Sequence, residues 1–140
     1  MHHKKNVYRL LQEHLDKLPI GFPKTDSGVE IKILQHLFNS IEAKVALCLS
    51  LGNASLLRIQ KRFKHKFGEV IEVEELSSIL NKMYLGGSIN RSKKEPFKYS
   101  NAMLAIGMFE YQLGHLNKEF MQWMHQYFDE GFNDEFFRSS

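Results

Sequence analysis

Three apolar stripes at helical spacing, each stopped by glycine and followed by a pair of alternating runs, limit this chain's fold more than any other feature. The first stripe runs from Ile41 to Leu51 and ends at Gly52. Asn39 and Glu42 have the spacing of a capping pair at its start. The second, Ala54 to Phe67, places Leu56, Ile59, Phe63 and Phe67 on one face and stops at Gly68. Asn53 is its expected cap. The third, Glu72 to Leu85, turns Val73, Leu76, Ile79, Leu80 and Met83 inward and is broken by Gly86-Gly87. Residues 88–91 and 97–100 then alternate around Lys93-Lys94-Glu95-Pro96, a hairpin with a charged tip.

Helices precede and follow this block. Val7, Leu11, Leu15 and Leu18 give a helix over Lys4 to Leu18, which Pro19 ends because proline cannot continue the ladder. Ile20-Gly21-Phe22-Pro23 reads as a stiff loop. Thr25-Asp26-Ser27 offers capping oxygens to a helix burying Val29, Ile33, Leu34, Leu37 and Phe38. Met103 to Leu113 is helical, and Asn117 caps a further helix with Phe120, Trp123 and Met124 on one side. Gly131 interrupts it before a last turn holding Phe132, Phe136 and Phe137. The expected fold is mainly α: a winged helix-turn-helix core over about 27–101 with a small β-hairpin wing, and additional helices over 4–18 and 102–138. All 140 residues are expected to form a single domain.

Charge is uneven. Between Ala54 and Lys98 ten Lys/Arg face five Glu, whereas from Tyr99 onward two bases face six acids. Arg58, Lys61, Arg62, Lys82, Arg91, Lys93, Lys94 and Lys98 are the candidate nucleic-acid contacts, placed to neutralise phosphates on either side of a major groove. Glu72, Glu74 and Glu75 weigh against this, because base contacts come from the start of a recognition helix and carboxylates there repel phosphate. Acids are also ordinary at a helix start for dipole reasons. A solvated mixed surface explains the basic segment equally well. Specific DNA binding therefore ranks no higher than a winged helix used to dock protein.

Little in the sequence supports catalysis. Cys48, the single cysteine, lies in an apolar helix, where a free thiol is usually a small buried hydrophobe. It excludes an intramolecular disulfide and agrees with a reducing compartment. The seven histidines lack paired-ligand spacing, so no metal site is expected. No Gly-rich phosphate loop or nucleophile motif occurs, and an enzyme acting alone is not expected. No apolar run reaches 18 residues, so no membrane partner is expected and a cytoplasmic location follows by default. The aromatic tail exceeds what one helix face can bury. Trp123, Phe132, Phe136 and Phe137 are the candidate partner surface, for a following domain or a homodimer. A small-molecule sensor with a pocket against the tail helices has no residue signature and ranks last.

The block H-L-D-K-L-P-I-G-F-P-K-T-D-S-G-V-E, His14 to Glu30, resembles the N-terminal, winged-helix-like region of a prokaryotic family of 4Fe-4S ferredoxin-type proteins. The likeness extends through Glu42–Leu51, Met108–Leu113 and Tyr127–Phe132 to most of the chain. In that family a cluster-binding region follows. A 4Fe-4S cluster needs several closely spaced cysteine thiolates, and one cysteine cannot hold it. The resemblance therefore implies a non-catalytic docking or regulatory N-terminal module of an electron-transfer protein. No cofactor lies within this chain, and a 4Fe-4S cluster enters only where a cysteine-rich region follows Ser140. The implied partner is a protein or a following cluster domain. The alternative is a DNA-binding regulator.

Overall fold

The structure is a computed structural model that describes residues 6–104 and 118–132, with Gly131 and Phe132 as backbone only. It is mainly helical with a small three-stranded antiparallel sheet. The chain sorts into two compact units: residues up to Leu37 with those from Met103 onward, and Phe38–Ala102.

In the first unit, α1 (Val7–Asp16) starts at Asn6, whose side chain accepts from the backbone N–H of Tyr8 at 2.7 Å and of Arg9 at 3.2 Å. It buries Leu11 and Leu15 and ends short of Pro19. The connection to α2 (Val29–Leu37) is held by side chains. Gln12 Nε2 donates to the Phe22 carbonyl at 2.8 Å, and the Phe22 N–H donates to Asp16 Oδ1 at 3.0 Å. Buried Glu30 accepts from Arg9 Nη1 at 2.9 Å and from both the N–H and the hydroxyl of Thr25. Gly28, at φ 75°, occupies the left-handed region before α2, a conformation that costs glycine little.

The last helix of this unit, α6 (Lys118–Tyr127), buries Phe120, Met124 and Tyr127. The Tyr127 hydroxyl donates to the Pro23 carbonyl at 2.9 Å, and its ring lies 4.9 Å from that of Phe22. Gly131 does not interrupt the helical path as expected. A π-helical turn, Phe128–Phe132, follows α6 directly and includes Gly131. The expected helix over 103–113, its neighbour's cap Asn117 and the last aromatic turn lie largely or wholly outside the described residues.

The second unit opens with α3 (Ser40–Ala46). Its capping box is formed as expected: Glu42 N–H to Asn39 Oδ1 at 2.9 Å, and Asn39 N–H to Glu42 Oε1 at 2.8 Å. The helix stops at Ala46 rather than Leu51. Cys48 and Leu49 bond back to Val45 and Ala46 in tighter three-residue turns, which bury both side chains while redirecting the chain. Ala54–Ser55 is not the start of a helix but a strand, β1, and Ser55 rather than Asn53 caps α4 (Leu56–Phe67) by accepting from the Arg58 N–H at 3.3 Å. Gly68, at φ 72°, closes α4. α5 (Val73–Leu85) follows, then β2 (Ile89–Arg91) and β3 (Lys98–Asn101).

The sheet order is β1-β3-β2, all antiparallel, with Ala54 opposite Tyr99 and Arg91 opposite Tyr99 on the other side. The order within this unit is thus α3-β1-α4-α5-β2-β3. Ala43, Val45, Ile59, Phe63, Leu76, Leu80 and Met83 form its core, closed on the sheet side by Ile89 and Tyr99. Asn101 ties β3 to the end of α3. Its Nδ2 donates to the Ala46 carbonyl at 3.0 Å, and its N–H donates to the Ser50 carbonyl at 2.8 Å.

Candidate functional site

α4 separates two concave surfaces of the second unit. The first, about 680 Å³, lies where the start of α4 meets α5 and the hairpin; we call it the hairpin groove. Leu56, Leu57, Pro96, Phe97 and Tyr99 make it apolar, with Ser55, Ser77, Glu95 and Lys98 at its edges. Leu57 is 60% exposed, whereas Ile59, two residues further on, is fully buried in the core. The second, about 450 Å³, lies between the residues leaving α3 and the middle of α4. Leu47, Cys48 and Leu49 form its floor, and Lys61, Arg62, His65 and Lys66 surround it. One helix serves both surfaces because successive residues advance by about 100°, so Leu57 and Arg62 stand on opposite flanks of the buried stripe.

Three of the eight candidate cations line these surfaces. Lys61 and Arg62 line the α3–α4 cleft, whereas Lys98 borders the hairpin groove. Arg58, Lys82, Lys93 and Lys94 are exposed and border neither. Arg62 and Arg91 are engaged with the chain itself. Arg62 Nη1 donates to the Cys48 carbonyl at 3.1 Å and so fastens α4 to the end of α3. Arg91 Nη1 donates to Asn81 Oδ1 at 3.1 Å, and its guanidinium lies 4.1 Å from the Tyr84 ring and 3.9 Å from the Phe97 ring. These contacts hold the hairpin against α5 and leave much of Arg91 out of solvent. On α5, Glu74, Glu75, Ser78 and Lys82 face outward.

Of the candidate partner surface, Trp123 is half-buried and meets the His36 ring edge-on at 6.1 Å. His36 also stacks on Phe120 at 4.8 Å. The Phe132 side chain, Phe136 and Phe137 lie outside the described residues.

Cys48 is only 2% exposed, and its Sγ contacts the Lys44 carbonyl at 3.5 Å. Burial pushes its thiol up to about 11, with Lys66 and Arg62 pulling part of the way back. Burial likewise raises the Tyr99 phenol, against a smaller downward pull from Arg91. Neither group is poised for nucleophilic work near neutrality. Among the described residues no cluster of three His, Cys, Asp or Glu is placed to hold a metal ion, and no helix is long and apolar enough to cross a membrane.

Leu57, Pro96 and Phe97 are the site residues that the sequence reading missed. Leu57 carried a signal, an apolar side chain off the buried stripe of its helix. Comparison with family models, curated proteins and solved structures gives no match.

Proposed function

We propose that this chain is a non-catalytic docking or regulatory module, built on a winged helix-turn-helix and working with a 4Fe-4S ferredoxin-type electron-transfer protein in the cytoplasm. The helix and strand order α3-β1-α4-α5-β2-β3 and the sheet order β1-β3-β2 support the winged-helix part. In that reading α4 and α5 are the helix-turn-helix, and residues 92–97 are the wing. The ferredoxin link rests on the resemblance of the His14–Glu30 block.

The observation that carries the docking function is the apolar hairpin groove with exposed Leu57, which in this reading is a wing groove. A surface that met DNA phosphates would favour polar and cationic side chains. Here its centre is leucine, proline and phenylalanine, and the outward start of α5 carries Glu74 and Glu75. A protein segment fits that chemistry better than a duplex does.

One observation favours DNA binding as the second reading: Lys93 and Lys94 are exposed at the hairpin tip, and Lys82 is exposed on α5. Fluorescence anisotropy against duplex DNA separates the two. Affinity that collapses over about a tenfold rise in salt, with a sequence preference, favours the regulator. Weak, sequence-indifferent binding favours docking. Reading the coding frame past Ser140 tests the ferredoxin link. Closely spaced cysteine codons support it, and an immediate stop codon removes it.

A further inference from the structure

We infer that the cleft between the end of α3 and the middle of α4 is a second docking site, which takes an acidic peptide segment with an apolar anchor residue from a partner protein. The hairpin groove does not use this surface, and the inference stands whether or not that groove binds protein. Among the described residues its charge is uncompensated. α4 contains no Asp or Glu, and among the described residues no acid lines the cleft. The ion pair nearest in sequence, Lys44 with Glu69 at 3.7 Å, involves none of the lining cations. Lys61 and Lys66 stand without ion pairs among the described residues.

The positive field reaches the floor, because Lys66 and Arg62 both act on the Cys48 thiol. Arg62 is fixed in place by its bond to the Cys48 carbonyl, so one cationic group is already ordered before a ligand arrives. Between the charges the lining is aliphatic, chiefly the methylene stems of Lys61 and Lys66 over the nearly buried Leu47 and Leu49. A nucleic-acid backbone would use the charges and leave that apolar surface unmatched. Two or three carboxylates around a leucine or phenylalanine use both.

The test is selection of a phage-displayed random peptide library on the full chain. It is counter-selected with the Lys61→Glu/Lys66→Glu variant and, separately, with Leu57→Asp. Expected is a consensus of Asp or Glu flanking one large apolar residue. Peptides carrying it should bind the full chain at least about tenfold more tightly than the charge-reversed variant, and lose about tenfold in affinity at high salt. They should shift amide NMR signals of Lys61, Arg62, His65 and Lys66. Peptides lost only on Leu57→Asp belong to the hairpin groove and bear on that proposal alone. A consensus without acids, or no enrichment over the charge-reversed variant, overturns the inference. So does a variant that loses duplex DNA binding while no acidic peptide is selected. A Lys61→Gln/Lys66→Gln variant, checked by circular dichroism, replaces the reversed one should reversal unfold the chain.

Discussion

The Tyr99 hydroxyl donates to Asn81 Oδ1 at 2.7 Å, on the same oxygen that receives Arg91 Nη1 at 3.1 Å. One amide on α5 therefore fixes both strands of the hairpin, β3 through Tyr99 and β2 through Arg91. Arg91, a candidate groove contact in the sequence, is bonded here to Asn81. Tyr99→Phe removes one bond from a buried ring and is expected to cost about 1 kcal/mol. Asn81→Ala leaves both donors unpaired and is expected to cost about 2 kcal/mol. Urea unfolding of the two single variants and the double variant checks this. A coupling near zero would mean that the shared oxygen does not link the strands.

The difference between what could and could not be read in advance has a physical pattern. α4 and α5 were legible because each has a continuous apolar stripe and a glycine stop, signals written within the element. The hairpin was legible from alternation and its polar tip. β1 was not, because two residues cannot show alternation, and Ala54 and Ser55 are strand only through pairing with Tyr99 and Lys98. The early end of α3 was hidden because Leu47 to Leu49 stay apolar and buried as the helix tightens. The cationic candidates were visible as a composition but not as a place. Nothing in the sequence separates Arg62 and Arg91, engaged with the chain itself, from Lys93 and Lys94 in solvent.

Gly21 is required by proximity and not by φ. A Cβ built there would sit 2.6 Å from Asp16 Oδ1 and 3.0 Å from the Asp16 carbonyl oxygen. That carboxylate already accepts from the Phe22 N–H, so it cannot swing away without breaking a bond to the loop. Gly21→Ala is expected to destabilise the first unit by about 2 kcal/mol, the usual scale of forced overpacking. Thermal melting checks it. Gly21→Ala in an Asp16→Ala background should cost less than in the natural chain. Equal costs would exclude the carboxylate as the obstacle.

Glu30 is fully buried in the loop's hydrogen-bond network, and its partner Arg9 is 23% exposed. Glu30→Gln keeps the volume but leaves the Arg9 guanidinium without its counter-charge. The expected loss is roughly 3 kcal/mol, toward the low end for breaking a buried pair because water reaches Arg9. Added salt should change that loss little, since the Glu30 carboxylate is fully buried. A cost below about 1 kcal/mol in denaturant unfolding would mean that the pair behaves like a surface bridge.

Cys48 makes the pH prediction. Its thiol is raised from 9.0 to about 11, chiefly by burial. At pH 7 only about one molecule in ten thousand carries a thiolate, against about one in a hundred for an ordinary cysteine. The folded chain therefore holds this proton more tightly than the unfolded chain does. That contribution to stability is complete below pH 9.0 and is lost as pH rises toward about 11. Between those values the slope approaches about −1.4 kcal/mol per pH unit for this group. Tyr99 moves in the same direction through burial, so the comparison belongs in a Tyr99→Phe background. There, Cys48→Ala is expected to flatten the alkaline fall of the urea midpoint. Iodoacetamide alkylation of the native chain should keep rising in rate past pH 9.0 instead of levelling off. A plateau near 9.0 would mean that the thiol is far more hydrated than its 2% exposure implies.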